Sequence, residues 1–278
     1  MKKISKLLCC LLLIVAGIFV WARYIEPSQL IVRSVSIEIR QEISPFRAAF
    51  FTDTHFGKYY DSKNAQKIAE KINELHPDMV LFGGDLWDNY ARDQEILDLE
   101  EIREAFSQIE APQGKFAVLG NHDRGGGAIR IYEEFLESCG FQVLKNETVE
   151  LSQLGISITG YDDYLLGYTE PSEYTVSDDS FHLLLSHEPI AIQNIETDQD
   201  HLMLSGHTHG GQVRLPLITQ QILPPGSGNF LKGYYTGEEI APGSPLQLYV
   251  SSGVGMTKYP FRLGNMPEII DLTVSTQS

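Results

Sequence analysis

Cysteine is nearly absent, and that narrows the possible chemistry at once. The chain has 3 cysteines. Cys9 and Cys10 sit inside an apolar N-terminal run, and Cys139 stands alone in the remainder of the chain. No intradomain disulfide and no Cys-x-x-Cys metal site can form, and Cys139 reads as a small core residue. Basic charge is also scarce: 21 Lys and Arg face 37 Asp and Glu, a formal net charge of −16. A chain this acidic does not coat nucleic acid or lie on anionic lipid by charge alone, so no nucleic-acid partner is expected. If it handles a phosphate, bound cations must supply the attraction. There is no internal repeat, and no linker divides the 278 residues. That length accommodates one large domain with a full core.

What is present begins at the N-terminus. Lys2, Lys3 and Lys6 precede an uninterrupted apolar run over residues 7–21, and Arg23 comes after it. Such a segment is a signal anchor or a signal peptide. Bulky Trp21 and Val20 make cleavage after Ala22 unconvincing, so a retained single-pass anchor over residues 1–24 is expected, with secretion after cleavage as the alternative. The lysines ahead of the run predict a cytoplasmic N-terminus and a domain at residues 25–278 outside.

Beyond the anchor, strands and helices alternate. Val35, Ile37 and Ile39 alternate with polar residues, a half-exposed strand. Residues 47–51, 79–82 and 115–119 are short apolar runs that read as buried strands. Helical spacing appears in Ile68, Ile72 and Leu75, then in Ile96, Leu99, Ile102, Phe106 and Ile109, and again over residues 128–139. Strands are then expected at 149–151, 156–159, 181–186, 202–204, 246–251 and 269–274. This order predicts an α/β sandwich with parallel pairing in its first half.

The chemistry-bearing residues share a position: Asp53, Asp85, Asn121, His187 and His207 each come just after a strand-like run. The loops beyond strand carboxyl ends form the ligand crevice of open α/β sheets, so these residues can converge. Five elements carry them: Asp53-x-His55, Gly84-Asp85, Gly120-Asn121-His122-Asp123, His187, and Gly206-His207-Thr208-His209. An isolated Asp after a strand is usually a cap or a turn former. The set is harder to dismiss, because His55, His122, His187, His207 and His209 take most of the chain's 8 histidines. Imidazole, carboxylate and amide oxygen together suit Mn, Fe, Zn or Co better than Ca. Two such metals sharing a carboxylate and a hydroxide can drive in-line attack on phosphorus.

These elements resemble the calcineurin-like metallophosphoesterases over nearly everything after the anchor. The resemblance implies two mixed β-sheets in a sandwich flanked by helices. It implies two divalent metals, Mn foremost. Asp53, His55, Asp85 and His209 would hold one, and Asp85 (bridging), Asn121, His187 and His207 the other. By the same resemblance His122 protonates the leaving group and Asp123 orients it. Gly206 to Gln212 with Leu215-Pro216, then Gly253-x-Gly255, Pro260-x-Arg262 and Pro267-Glu268, look most like the membrane-associated bacterial branch. That branch implies a lipid-linked or nucleotide-linked phosphodiester or pyrophosphate, such as UDP-2,3-diacylglucosamine. A general envelope phosphomonoesterase is the alternative enzyme, and a non-catalytic scaffold that kept the fold is the remote one.

Four weaker signals remain. Arg262, and less so Arg214, could meet a substrate phosphate, since arginine suits phosphate geometry. Asp162-Asp163 reads equally well as a turn. Residues 215–235 could take an acyl chain or lean on a membrane, although such stretches usually cover a core. His76, His182 and His201 fit no motif and are expected to be structural.

Overall fold

In the computed structural model, which describes residues 2–176, 180–215 and 217–277, the expected alternation becomes two stacked sheets. The first contains β1 (Ile31–Ile39), β2 (Phe46–Phe51), β3 (Met79–Phe82), β4 (Lys115–Ala117), β5 (Phe141–Val143) and β12 (Glu268–Thr276). Their spatial order is β1-β12-β2-β3-β4-β5. The second contains β6 (Glu147–Leu151), β7 (Ile156–Gly160), β8 (Phe181–Leu185), β9 (Leu202–Ser205), β10 (Gly233–Tyr235) and β11 (Gln247–Val250). Here the order is β10-β11-β9-β8-β7-β6.

Both sheets are mixed. β2 to β5 run parallel, while β12 is antiparallel to β2 and parallel to β1. In the second sheet β7, β8, β9 and β11 are parallel, with β6 and β10 antiparallel at the edges. The central parallel strands β2, β3, β7, β8 and β9 are buried on both faces, as crossover topology requires.

Among the described residues seven α-helices complete the architecture: α1 (Lys2–Val20), α2 (Asn64–Asn73), α3 (Tyr90–Asp93), α4 (Leu99–Ser107), α5 (Asn121–Gly125), α6 (Tyr132–Ser138) and α7 (Gly237–Ile240). The two-residue period of β2 explains the layering. Ala48 and Phe50 face the second sheet, where Ile158, Leu183 and Leu204 meet them. Ala49 and Phe51 face outward, under Ile68 and Ile72 of α2 and Ile102 and Phe106 of α4. Asp98 starts α4 by accepting a hydrogen bond from the Glu101 amide at 3.0 Å. The outer face of the second sheet, with Leu184, Met203 and Leu248, lies under Tyr161, Ile192 and Phe230.

Several expectations shift. Ile96 lies outside α4 and is exposed, and the helix expected over 128–139 narrows to α6. β5 and β10 are 3 residues each, too short to carry a readable alternation. Cys139 is buried behind α6, as expected of a core residue.

The N-terminal helix is not a loosely attached tail. Within residues 3–28 an 18-residue stretch reaches a mean hydropathy of 2.5, and the helix is long and apolar enough to cross a membrane. α1 passes through a π-helical turn, Trp21–Ile25, into a short 3-10 turn, Glu26–Ser28, and then into β1. Ala22 and Glu26 are buried against the domain. The Ala22 carbonyl accepts from the Arg262 amide at 2.9 Å. The Glu26 carboxylate accepts from Trp21 Nε1 at 2.8 Å and from the Asn265 amide. Phe19 packs edge-on to Phe261, with ring centroids 5.5 Å apart. The domain boundary expected after residue 24 therefore falls inside a packed segment.

Candidate metal centre

Each candidate ligand lies just beyond the carboxyl end of a strand. Asp53 and His55 come after β2, Asp85 after β3, and Asn121 opens α5 after β4. His187 comes after β8, and His207 and His209 after β9. These turns are tight. Asp53, His55, Asp85, His207 and His209 all have positive φ, between 44° and 69°. A left-handed non-glycine residue costs on the order of 1 kcal/mol or more, and such residues concentrate at functional sites. Glycines permit the close approach: a Cβ on Gly120 would strike the Asp85 carboxylate, and one on Gly206 the Asp53 carboxylate.

The side chains converge in a largely buried space, with Asn121 at its partly exposed edge. His55 Nε2 lies 3.7 Å from Asp53 Oδ1 and 3.4 Å from Asp85 Oδ2. His209 Nε2 is 3.4 Å from Asp53 Oδ1 and 2.9 Å from His55 Nε2. His187 Nε2 is 3.1 Å from Asp85 Oδ2 and 3.9 Å from Asp53 Oδ1. Asn121 Oδ1 and His207 Nδ1 are 2.9 Å apart. Asp53, His55 and His209 form one group of possible metal donors, and Asp53, Asp85 and His187 another.

Whether a metal fits is decided by what these atoms face. His187 Nδ1 donates to the Gly83 carbonyl at 2.7 Å, so in the neutral ring Nε2 carries the lone pair. That lone pair points among carboxylate oxygens and makes no hydrogen bond. His55 and His209 face each other Nε2 to Nε2 at 2.9 Å, an approach that leaves room for a proton on only one of the two atoms. Among the described residues, Asp53 and Asp85 form ion pairs only with histidines. Such an array needs shared positive charge, and imidazole with carboxylate and amide oxygen is a donor set for borderline divalent ions. The residues fit.

The electrostatics express the same demand. Burial pushes the His55 ring toward neutrality, yet the neighbouring carboxylates of Asp53, Asp88 and Asp85 raise it to about 9. Burial acts the same way on His187, and Asp85 overrides it, leaving the ring well above its ordinary range. Burial would raise Asp53 and Asp85, but the surrounding histidines hold both well below the usual carboxylate range. Burial keeps His207 down at about 4 and His209 well below its ordinary value, so both rings present neutral donor nitrogens.

Two expected roles do not survive the geometry. Asp123 does not orient His122. Its carboxylate accepts from the backbone amides of Asp85, Leu86 and Gly120 at 2.8, 3.0 and 2.9 Å. It thereby ties the β3 loop to the turn that opens α5. The His122 ring is held instead by the Asp88 carbonyl, 2.5 Å from Nδ1. Arg262 is not at a substrate surface. It is fully buried and its guanidinium donates to the carbonyls of Ser252, Gly253, Gly255 and Asn265. Burial lowers it to about 10.

Sequence reasoning missed two residues. Asp88 Oδ1 lies 3.5 Å from His55 Nδ1 and accepts from Thr257 Oγ1 at 2.7 Å, and its carbonyl holds His122. Its signal was its place three residues after Asp85. Glu188, beside His187, is buried and groups with His187 and His207. Burial pushes its carboxyl well above the ordinary range.

The remaining candidates lie outside the cluster. Arg214 is exposed, and Pro216 lies outside the described residues. Asp162 accepts from Arg124 and from the Tyr168 amide, and Asp163 from the Leu165 and Leu166 amides, as turn formers do. His182 bonds Thr159, His201 bonds Thr197, and His76 is exposed, so none of the three joins the centre. A cavity of about 490 Å³ lined by Tyr164, Tyr168, Tyr174 and Asn194 lies beside Asp163, and no candidate metal ligand lines it.

Known proteins carry the same pattern. Residues 46–211 match the calcineurin-like phosphoesterase family. The chain is 33% identical over 274 residues to the uncharacterized metallophosphoesterase YkuE of Bacillus subtilis, covering 94% of this chain and 91% of that one. It is 29% identical over 261 residues to the phosphodiesterase YaeI of Escherichia coli, covering 90% of each. A transmembrane protein with metallophosphoesterase domain from Danio rerio is 26% identical over 266 residues, covering 90% of this chain and 58% of that one.

Arg262→Gln is expected to destabilise the fold by about 3 kcal/mol or more, because buried carbonyls lose a charged donor. The denaturation midpoint reads this directly. An unchanged midpoint with weakened phosphate affinity would return Arg262 to a substrate role.

Proposed function

Because the chain belongs to the calcineurin-like phosphoesterase family, and is thus a metal-dependent phosphoester hydrolase, we propose a dinuclear centre acting on phosphodiesters at a membrane. In this reading Asp53, His55, Asp85 and His209 hold one divalent ion. Asp85, Asn121, His187 and His207 hold the other, with Asp85 shared. The observation that carries it is the convergence, from five strand ends, of imidazole nitrogens and buried carboxylates on one space. Mn, Fe, Zn and Co all suit these donors. When bound, such ions would supply a water of lowered pKa and neutralise the phosphoryl oxygens.

The chain's own residues do the rest. The Asp88 carbonyl takes the proton on His122 Nδ1, which leaves Nε2 to carry the mobile proton. The Asp88 carboxylate lies 3.9 Å from Nδ1. His122 is partly exposed, unlike the other clustered histidines, so it can reach a leaving oxygen at the rim. The His122 amide donates to Asp85 Oδ1 at 2.8 Å, and the His207 amide donates to Asp53 at 3.1 Å. These amides hold the carboxylates in the orientation that ligation needs.

The phosphodiesterase activity of the Escherichia coli relative favours diesters over monoesters. The apolar helix, and the Danio rerio relative's description as a transmembrane protein, support residence at a membrane. Lysines ahead of the helix favour an outward-facing domain at residues 25–278, with residues 1–24 as anchor. A lipid-linked or nucleotide-linked phosphate, UDP-2,3-diacylglucosamine among them, is the substrate class that this residence favours.

Three outcomes are expected. The purified chain should hydrolyse bis(p-nitrophenyl) phosphate in preference to p-nitrophenyl phosphate and lose activity to a chelator. Preference for the monoester would favour a general phosphatase, and no turnover with two metals bound would favour a scaffold. His122→Ala should lower kcat by about 100-fold or more while metal content stays at wild type. Loss of the metals from that variant would contradict its role as acid. Asp85→Asn should reduce metal content toward zero at both positions, and two ions per chain in elemental analysis would rule out a shared carboxylate.

A further inference from the structure

The acidic residues of this chain are unevenly placed. None lies before Glu26, none between Asp200 and Glu238, and none between Glu239 and Glu268. These segments meet in space. Phe19 packs on Phe261, and the Ala22 carbonyl accepts from the Arg262 amide. Val213 bridges Leu263, and the Arg214 amide donates to the Leu263 carbonyl at 2.8 Å. Gln212 Nε2 donates to the carbonyls of Thr257 and Tyr259. The end of the apolar helix, the 257–263 loop and the 212–222 segment therefore form one continuous surface.

That surface is apolar and basic. Leu217 is 91% exposed, Tyr259 70%, Ile222 65% and Tyr24 61%, and Leu215 and Ile218 are about half exposed. Arg214 and Lys258 are exposed between them, and the Arg23 guanidinium lies 4.7 Å from the Tyr24 ring centroid. Large aliphatic side chains standing in water beside a membrane-length helix are costly unless something covers them. Tyrosine with arginine or lysine is the composition of a membrane interface, and basic residues free of acids are drawn to anionic lipid.

The helix end also fixes the geometry. Glu26, buried and bonded to Trp21 and Asn265, leaves the domain little freedom to swing on its helix.

We infer that Arg214, Leu215, residues 217–222 and residues 257–261 form a second membrane contact, seated in the headgroup layer of the leaflet from which the helix emerges. The occupant is the bilayer itself. The inference rests on the reading of the N-terminal helix as membrane-inserted. It holds the His207–Gln212 loop, which runs straight into this face, at the bilayer surface, so a phosphoester on a lipid headgroup is the substrate that this seating serves.

The test uses the full-length chain in vesicles of phosphatidylcholine and phosphatidylglycerol. Cys9→Ala and Cys10→Ala leave only buried Cys139, and a bimane label is attached through Leu217→Cys, Ile222→Cys, Tyr259→Cys, Leu12→Cys or Ile96→Cys. Nitroxide lipids with shallow or deep spin positions then quench the label. Labels at 217, 222 and 259 should lose most of their fluorescence to shallow nitroxides, the label at 12 to deep ones, and the label at 96 almost none to either. Quenching at 12 with none above the level of 96 at 217, 222 and 259 would overturn the second contact while leaving the anchor. No quenching at 12 would overturn both. The double variant Leu217→Asp, Ile222→Asp should lose quenching at a 259 label while keeping bis(p-nitrophenyl) phosphate turnover, which separates lost membrane contact from lost fold or lost catalysis.

Discussion

Two carboxylates, Asp53 and Asp85, are buried side by side, and much of the molecule exists to make that tolerable. A buried charge left uncompensated costs about 3–5 kcal/mol. No Lys or Arg among the described residues forms an ion pair with either one. Positive charge must come from histidines that gain protons or from ions that histidines help to hold. The raised His55 and His187 and the lowered His207 and His209 are two sides of this constraint. Carboxylates pull His55 and His187 toward protonation, while burial beside those charged rings keeps His207 and His209 neutral and available as donors.

Holding the carboxylates demands an unusual backbone, and the loops behind it offset the strain. Five candidate ligands sit in left-handed turns, which only persist when the surroundings over-determine them. Asp123 does this for the β3 and β4 loops by gathering three amides. Arg262 does it on the opposite side, gathering carbonyls of the 252–265 segment whose Gly253 and Gly255 press against Asp53 and Thr54. Both residues carry charge and lie beside the site, which is why sequence alone reads them as chemical. In the fold each serves backbone groups.

The sandwich and the clustering of these side chains were legible because they obey local rules. Short apolar runs mark strands, and the polar residue after each run marks the crevice, so Asp53, Asp85, Asn121, His187 and His207 could be placed without coordinates. What escaped was set by tertiary context. Whether Arg262 faces solvent depends on a loop that folds back across residues 252–265, and nothing in Pro260-x-Arg262 encodes that. Asp88 acts mainly through its backbone carbonyl, which has no residue signature at all. β5 and β10 are strands because neighbours offer hydrogen bonds, not because three residues prefer to be extended.

The same logic explains why the anchor end resists being read as a linker. A carboxylate one turn beyond a membrane-length helix would ordinarily stay in water. Glu26 is instead buried, and its partners include the amide of Asn265. The side chain of that same Asn265 donates to the His209 carbonyl and accepts from Lys232 at 2.7 Å. One loop residue thus bonds both the root of the helix and the backbone of a candidate metal ligand. A flexible tether would need neither contact, since it has only to keep the domain nearby. A buried glutamate that spans helix and loop makes sense where the direction in which the domain faces matters, and here that direction is set by the residue that also steadies the His207–His209 turn.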